Sequence, residues 1–256
     1  MPKEHGAWAM LYAPFLLGVL VAGRVNGPAL WLLVAMTALF FARESLWRLR
    51  RARRHGRVEP DALRALRVEL ALLALAGSLL LGVHRLWGLL PIGAAAALLL
   101  AFNLDRAAQR EERSVATEIV AILGFAMSAP AAFYAVTGTW HVRALWLWLI
   151  CLLYFSSSVF HVKSCVLALH ARRPGDFRRM RLLSLLYHVG LATTVALLSL
   201  RRDLPLLAAA FAPVLLRALW GLLHPPRSLN LKRIGILEIV YSVNFLLFSW
   251  LALRSA

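Results

Sequence analysis

The sequence predicts an all-α protein, a polytopic membrane bundle of nine transmembrane helices with its N-terminus in the cytoplasm. Three observations carry this. Of 256 residues, 61% are hydrophobic and the mean hydropathy is +0.71, whereas soluble domains are about 45–50% apolar. The apolar residues fall into nine runs close to the roughly 20 residues that cross a bilayer. Lys and Arg alternate from one inter-run segment to the next. With the N-terminus inside, only Arg24, Arg85, Arg143, Arg201, Arg202 and Arg254 lie outside, and the other 23 of 29 lie on the cytoplasmic side, as the positive-inside rule requires.

The first span, 6–23, begins at Gly6 after a single basic Lys3, too little for the n-region of a cleavable signal. The second, 28–47, opens at Pro28 and ends on Arg43 and Glu44. The polar stretch Arg48 to Arg67 follows, read as a lipid-facing cytoplasmic loop in which Pro60 and Asp61 make a helix start. Span three, 64–83, is interrupted by Glu69, and span four covers 86–103. Span five, 116–137, and span six, 144–163, contain long uncharged stretches. Spans seven, 182–200, eight, 204–223, and nine, 233–253, carry His188, Arg217 and Glu238. One membrane domain, 1–256, accounts for the chain. Pro14, Pro91, Pro130 and Pro213 fall within spans, where proline kinks the backbone. Pro130 lies in a small-residue run, Gly124 to Ala132, suited to close helix contact.

Depth is informative. Glu44, Glu69, Glu118, His161, Lys163, His188, Arg217 and Glu238 all fall in the cytoplasmic half of the bilayer. Ionisable groups in hydrocarbon are costly and mark function or structural pairing. The acids were not used to set the orientation, yet they cluster with the bases. The expectation is one pocket opening on the cytoplasmic face, built from Glu4, His5, Arg43, Glu44, Glu118, Ser157, His161, Lys163, His188, Glu238 and Asn244.

Each candidate has a structural alternative. Glu4 and His5 suit the inner mouth, or an interfacial anchor beside Trp8. Glu44 faces the bundle or pairs with Arg48 four residues on, while Arg43 is placed to grip an anion. Glu118 opens a helix, where the dipole favours an acid. Ser157, His161 and Ser164 share one face at i, i+4 and i+7, and Lys163 snorkels or binds a head group. Glu238 lies past the first turn of its span among Ile236, Leu237, Ile239 and Val240 and needs a partner, with Arg233, Arg217 and His188 available. Tyr241 and Asn244 continue that side.

No cofactor is expected. His188 and His161 sit at similar depth, but the haem attachment motif C-x-x-C-H is absent, and no Cys/His spacing suggests zinc. Cys151 and Cys165 lie fourteen helical residues apart, roughly 21 Å, beyond disulfide reach. The net charge of +17 would suggest nucleic acid on a soluble protein. Here the bases sit in short loops between spans, so the expected partner is an anionic inner-leaflet lipid, in a bacterial inner membrane.

The opening Lys3-Glu4-His5-Gly6-Ala7-Trp8-Ala9-Met10 with Pro14, the middle Tyr154 to Ser164 and the late Leu231 to Glu238 resemble the YwiC-like family of bacterial integral membrane proteins. That resemblance implies a class and not a reaction. A more distant one is to UbiA-type membrane prenyltransferases, which have nine helices and an active site open to the cytoplasm. Span five, ending Ala132-Phe-Tyr134-Ala-Val-Thr-Gly138, is similar to the corresponding helix. Where that family places its two Asp-rich motifs, this chain has Ala42-Arg43-Glu44-Ser45-Leu46 and His161-Val-Lys163-Ser164. Mg²⁺ takes oxygen ligands, usually carboxylates. The resemblance therefore implies a UbiA-like bundle without ordinary Mg-diphosphate prenyl transfer.

Three functions fit. The first is binding or modification of an amphipathic lipid or quinone-like molecule. The second is secondary transport, which calls for inverted repeats and a midplane site. The third is a non-enzymatic subunit or assembly factor of a membrane complex, in which the buried charges are structural pairs.

Overall fold

The computed structural model describes residues 5–108, 114–170, 174–201, 204–224 and 231–254. Among these all regular structure is helical: α1 His5–Ala22, α2 Gly27–Arg54, α3 Pro60–Ser78, α4 Leu89–Ala108, α5 Val115–Ala126, α6 Ser128–Thr137, α7 Val142–His170, α8 Pro174–Arg201, α9 Pro205–Leu223 and α10 Leu231–Leu253. A π-helical turn, Leu79–Val83, extends α3. α5 and α6 form one span, bent at Met127 just before Pro130. Among the described residues eight segments are long and apolar enough to cross a membrane, and α1 adds a shorter apolar stretch, Trp8–Ala22. The protein is a multi-pass membrane protein, and its helices match the nine expected spans.

The differences lie at the ends. α2 runs on to Arg54, α7 to His170, and α8 starts at Pro174, so helix continues well past the apolar segments. The stretch Arg48 to Arg67, expected to be mainly loop, is two helix ends joined by a short turn. Gly56 (φ 62°) makes that turn, and α3 starts at Pro60, the expected position, because proline suits the first helical residue.

The other end of the bundle is locked by polar caps. Asn26 accepts from Ala29 N and donates to Val136 O, while Arg24 donates to the same carbonyl. The C-terminus of α6 thereby closes on the N-terminus of α2, and Gly138 in the left-handed region (φ 75°) ends α6.

α7 and α1 are central. Tyr154, Phe211 and Phe245 interlock in the core, with Tyr154 stacked on Phe245 at 4.0 Å between centroids. α1 crosses α6 closely, since a Cβ on Gly18 would stand 2.2 Å from Ala129 O. The small-residue run around Pro130 thus serves packing. Leu72, Leu75, Leu98, Leu186 and Leu216 face outward, a surface that hydrocarbon covers without cost.

Candidate functional site

The candidate residues gather in three places. The first is a polar seam among α7, α8, α9 and α10. Glu238 on α10 is held by the Arg217 guanidinium from α9 and accepts from Ser158 Oγ on α7 at 2.6 Å. Both charged side chains are largely buried, and Arg217 also lies over the Tyr241 ring. Of the partners open to Glu238, Arg217 is the one found on it, and the side chain of Arg233 lies outside the described residues. Among the described residues, Nε and Nη2 of Arg217 are buried without an acceptor. The His161 ring lies close against Gly221, one turn along α9 from Arg217, where a Cβ would meet it at 2.9 Å, and its Nε2 stands 3.7 Å from Cys165 Sγ.

His188 is buried beside this group. Its Nδ1 lies 2.7 Å from Ser184 O, which can only accept, so Nδ1 carries the proton. Nε2 then accepts from Ser157 Oγ at 3.0 Å. Both ring nitrogens are satisfied within the protein, which makes His188 a tie between α7 and α8. Asn244 donates to Ala209 O and Ala210 O and ties α10 to α9. Among the described residues no three His, Cys, Asp or Glu side chains come together as a metal site would need.

The second place is a bridge between α5 and α7, where Lys163 Nζ stands 2.7 Å from Glu118 Oε1. The helix N-terminus beside Glu118 is capped by Ser114, which accepts from Thr117 N.

The third is the wall of a cavity between α2, α3, α4 and the α5–α6 span, with a volume of about 450 Å³. It runs from Leu89, Leu90 and Leu80 at one end to Arg43 and Asn103 at the basic end. α3 and α4 are consecutive yet barely touch each other. Arg43 makes no hydrogen bond or ion pair among the described residues. Asn103 is buried and spends its amide N–H on Leu99 O in its own helix. Of the neighbouring acids, Glu44 pairs with Arg48 at 3.2 Å, and Glu69 accepts from Ser45 at 3.1 Å through Oε1 while, among the described residues, its Oε2 is buried without a donor.

Of the described candidates only Arg43 lines this cavity. Ser157, His161, Lys163, His188, Glu238 and Asn244 do not, because α1 and the α5–α6 span stand between α2 and α7. One common pocket at the cytoplasmic face is therefore not what these side chains form. Glu4 and the side chain of His5 lie outside the described residues. The cavity itself was not read from the sequence. Its one signal there is glycine on three helices, Gly77, Gly93 and Gly124, all of which line it.

The family model described as YwiC-like protein matches residues 1–133. The chain belongs to the YwiC-like family. All the residues that line the cavity fall within the matched part, and the α7–α10 seam lies beyond it. The chain is also similar to "Uncharacterized protein YwiC" of Bacillus subtilis (strain 168), 28% identical over 246 residues, covering 96% of this chain and 95% of the relative. No solved structure matches.

Proposed function

We propose that this YwiC-like protein binds an amphipathic lipid or quinone-like molecule, with the apolar part in the α2–α6 cavity and the polar head at Arg43 and Asn103. The carrying observation is the polarity of that cavity, apolar for most of its length and polar at one end. A volume of about 450 Å³ lies in the ordinary range of small-ligand sites, about 300–1,000 Å³. The gap between α3 and α4 offers a path from the bilayer. The basic end of the bundle is taken as cytoplasmic by the positive-inside rule, which places the head at the inner leaflet of a bacterial inner membrane. The arginines of the α2–α3 turn, with Arg51 over the Trp47 ring, suit anionic lipid heads there.

The test is extraction of protein purified in mild detergent, followed by mass spectrometry of the bound lipids, for wild type and Gly93→Phe. A Cβ at Gly93 meets nothing within 4 Å, and Gly93 lines the cavity, so a bulky side chain there starts in open space at the cavity wall. An amphipath enriched over bulk membrane lipid in wild type and depleted in the variant supports the reading. Absence of any enriched lipid, or equal enrichment in the two proteins, overturns it.

A further inference from the structure

We infer that the ligand of this cavity is a single-chain amphiphile with a monoanionic carboxylate head, which Arg43 recognises; the inference rests on the amphipath reading above. Charge balance is the first argument. Among the described residues Arg43 is the one charged residue lining the cavity, it is half-buried, and no acid pairs with it. An arginine keeps its charge in any such setting, and exposure to hydrocarbon without a counter-charge is costly. Glu44 is committed to Arg48, and Glu69 gives one oxygen to Ser45 and neither to Arg43, so among the described residues nothing pairs with Arg43 and an anionic head on the occupant supplies a partner.

Head geometry is the second argument. One guanidinium matches one carboxylate through two parallel hydrogen bonds and balances its single charge. A phosphate monoester carries nearly two charges, and among the described residues the cavity lining has a single cation to meet them. The side-chain oxygen of Asn103, whose amide N–H goes to Leu99 O, stands at the same end of the cavity.

Shape is the third. The lining runs along α4 from Leu89 to Asn103, roughly 21 Å at the helical rise. A volume of about 450 Å³ spread over that length makes a narrow, elongated space that matches one extended hydrocarbon chain. The far end offers Leu80, Leu81, Leu89 and Leu90, which suits a methyl terminus.

The test is photo-crosslinking in neutral phosphatidylcholine nanodiscs with mid-chain diazirine derivatives of one fatty acid, the matching alkyl phosphate and the matching fatty alcohol, mapped by peptide mass spectrometry. The fatty acid is expected to label α2 and α4 peptides most strongly. Arg43→Gln is expected to reduce that labelling by about tenfold or more, the factor for losing charge-assisted hydrogen bonds. Arg43→Lys, which keeps charge but not the fork, is expected to fall between. Among the described residues Arg43 has no hydrogen-bond or ion-pair partner to lose, so an unchanged melting temperature checks the fold of both variants. Equal labelling by the alcohol, indifference to Arg43→Gln, or stronger labelling by the phosphate overturns the carboxylate assignment and leaves the amphipath reading standing. Labelling of α2 and α4 by none of the three overturns both.

Discussion

The side-chain amide of Asn244 donates to the main-chain carbonyl of Ala209 at 3.1 Å across the α9–α10 interface. Ala209 lies four residues before Pro213, which is inside α9. Proline has no N–H, so the carbonyl four residues earlier loses its helical donor. In a membrane such a carbonyl has no water to turn to. Asn244 supplies the missing donor from the next helix.

That relationship makes a conditional prediction. Asn244→Leu is expected to destabilise the bundle by about 1 kcal/mol, the usual size of such a bond in membrane proteins. In a Pro213→Ala background the helix satisfies Ala209 itself, and the cost of Asn244→Leu is expected to shrink toward zero. Thermal unfolding of the four proteins in one detergent measures the coupling. Equal costs in the two backgrounds would remove the role given to Asn244.

Arg217 and Glu238 form a buried pair with Ser158 as third member. Removing one charge strands the other, so Arg217→Met or Glu238→Leu is expected to cost about 3–5 kcal/mol, while the double replacement recovers most of it. The reason is desolvation: two apolar side chains of similar volume need no partner. Chemical denaturation of the three variants decides. If the double variant is as unstable as the sum of the singles, the pair is not a self-contained structural unit.

The spans were legible because hydropathy reports burial in hydrocarbon directly, and the nine apolar runs all fold as helix, eight of them, among the described residues, long and apolar enough to cross a membrane. The partners of the charges were less so. Hydropathy gives the depth of Glu238 but not its azimuth, so it left Arg217, Arg233 and His188 open, and packing of α9 on α10 brings Arg217 onto it. Glu44 was the easier case, since its partner Arg48 is one turn away on the same helix. The extensions of α7 and α8 were missed because helix outside the apolar slab has no hydropathy signature. The cavity was missed for a related reason: Leu99, Met36 and Leu73 line it but read the same as leucines facing lipid.

The crossing of α1 and α6 depends on one hydrogen atom. A Cβ at Gly18 meets Ala129 O at 2.2 Å and Ala132 Cβ at 3.0 Å, and the carbonyl belongs to backbone that has little room to yield. Gly18→Ala is expected to destabilise by about 1–3 kcal/mol through overpacking. Gly190→Ala, with nothing within 4 Å of its Cβ, is expected to be neutral or to stabilise by up to about 1 kcal/mol through helix propensity. Melting temperatures of the pair, measured side by side, test the contrast. Equal behaviour would refute the close crossing.

Orientation is open to a direct measurement, because the native thiols are silent. Cys151 and Cys165 are both buried and unpaired, so a membrane-impermeant maleimide has little to label in the wild-type chain. Gly56→Cys, in the exposed turn between α2 and α3, adds a thiol at the basic end, and Arg85→Cys adds one at the opposite end, where Arg85 is also exposed. With the basic end cytoplasmic, intact cells with a permeabilised outer envelope are expected to label Arg85→Cys, and inside-out vesicles are expected to label Gly56→Cys. Neither substitution touches the core; Gly56→Cys places a side chain at φ 62° in an exposed turn, a strain of about 1–2 kcal/mol, and Arg85 already sits at a positive φ of 55°, which cysteine adopts no more readily than arginine. The reverse labelling pattern would turn the bundle over, move Arg43 to the outer leaflet, and require its ligand to reach it from that side.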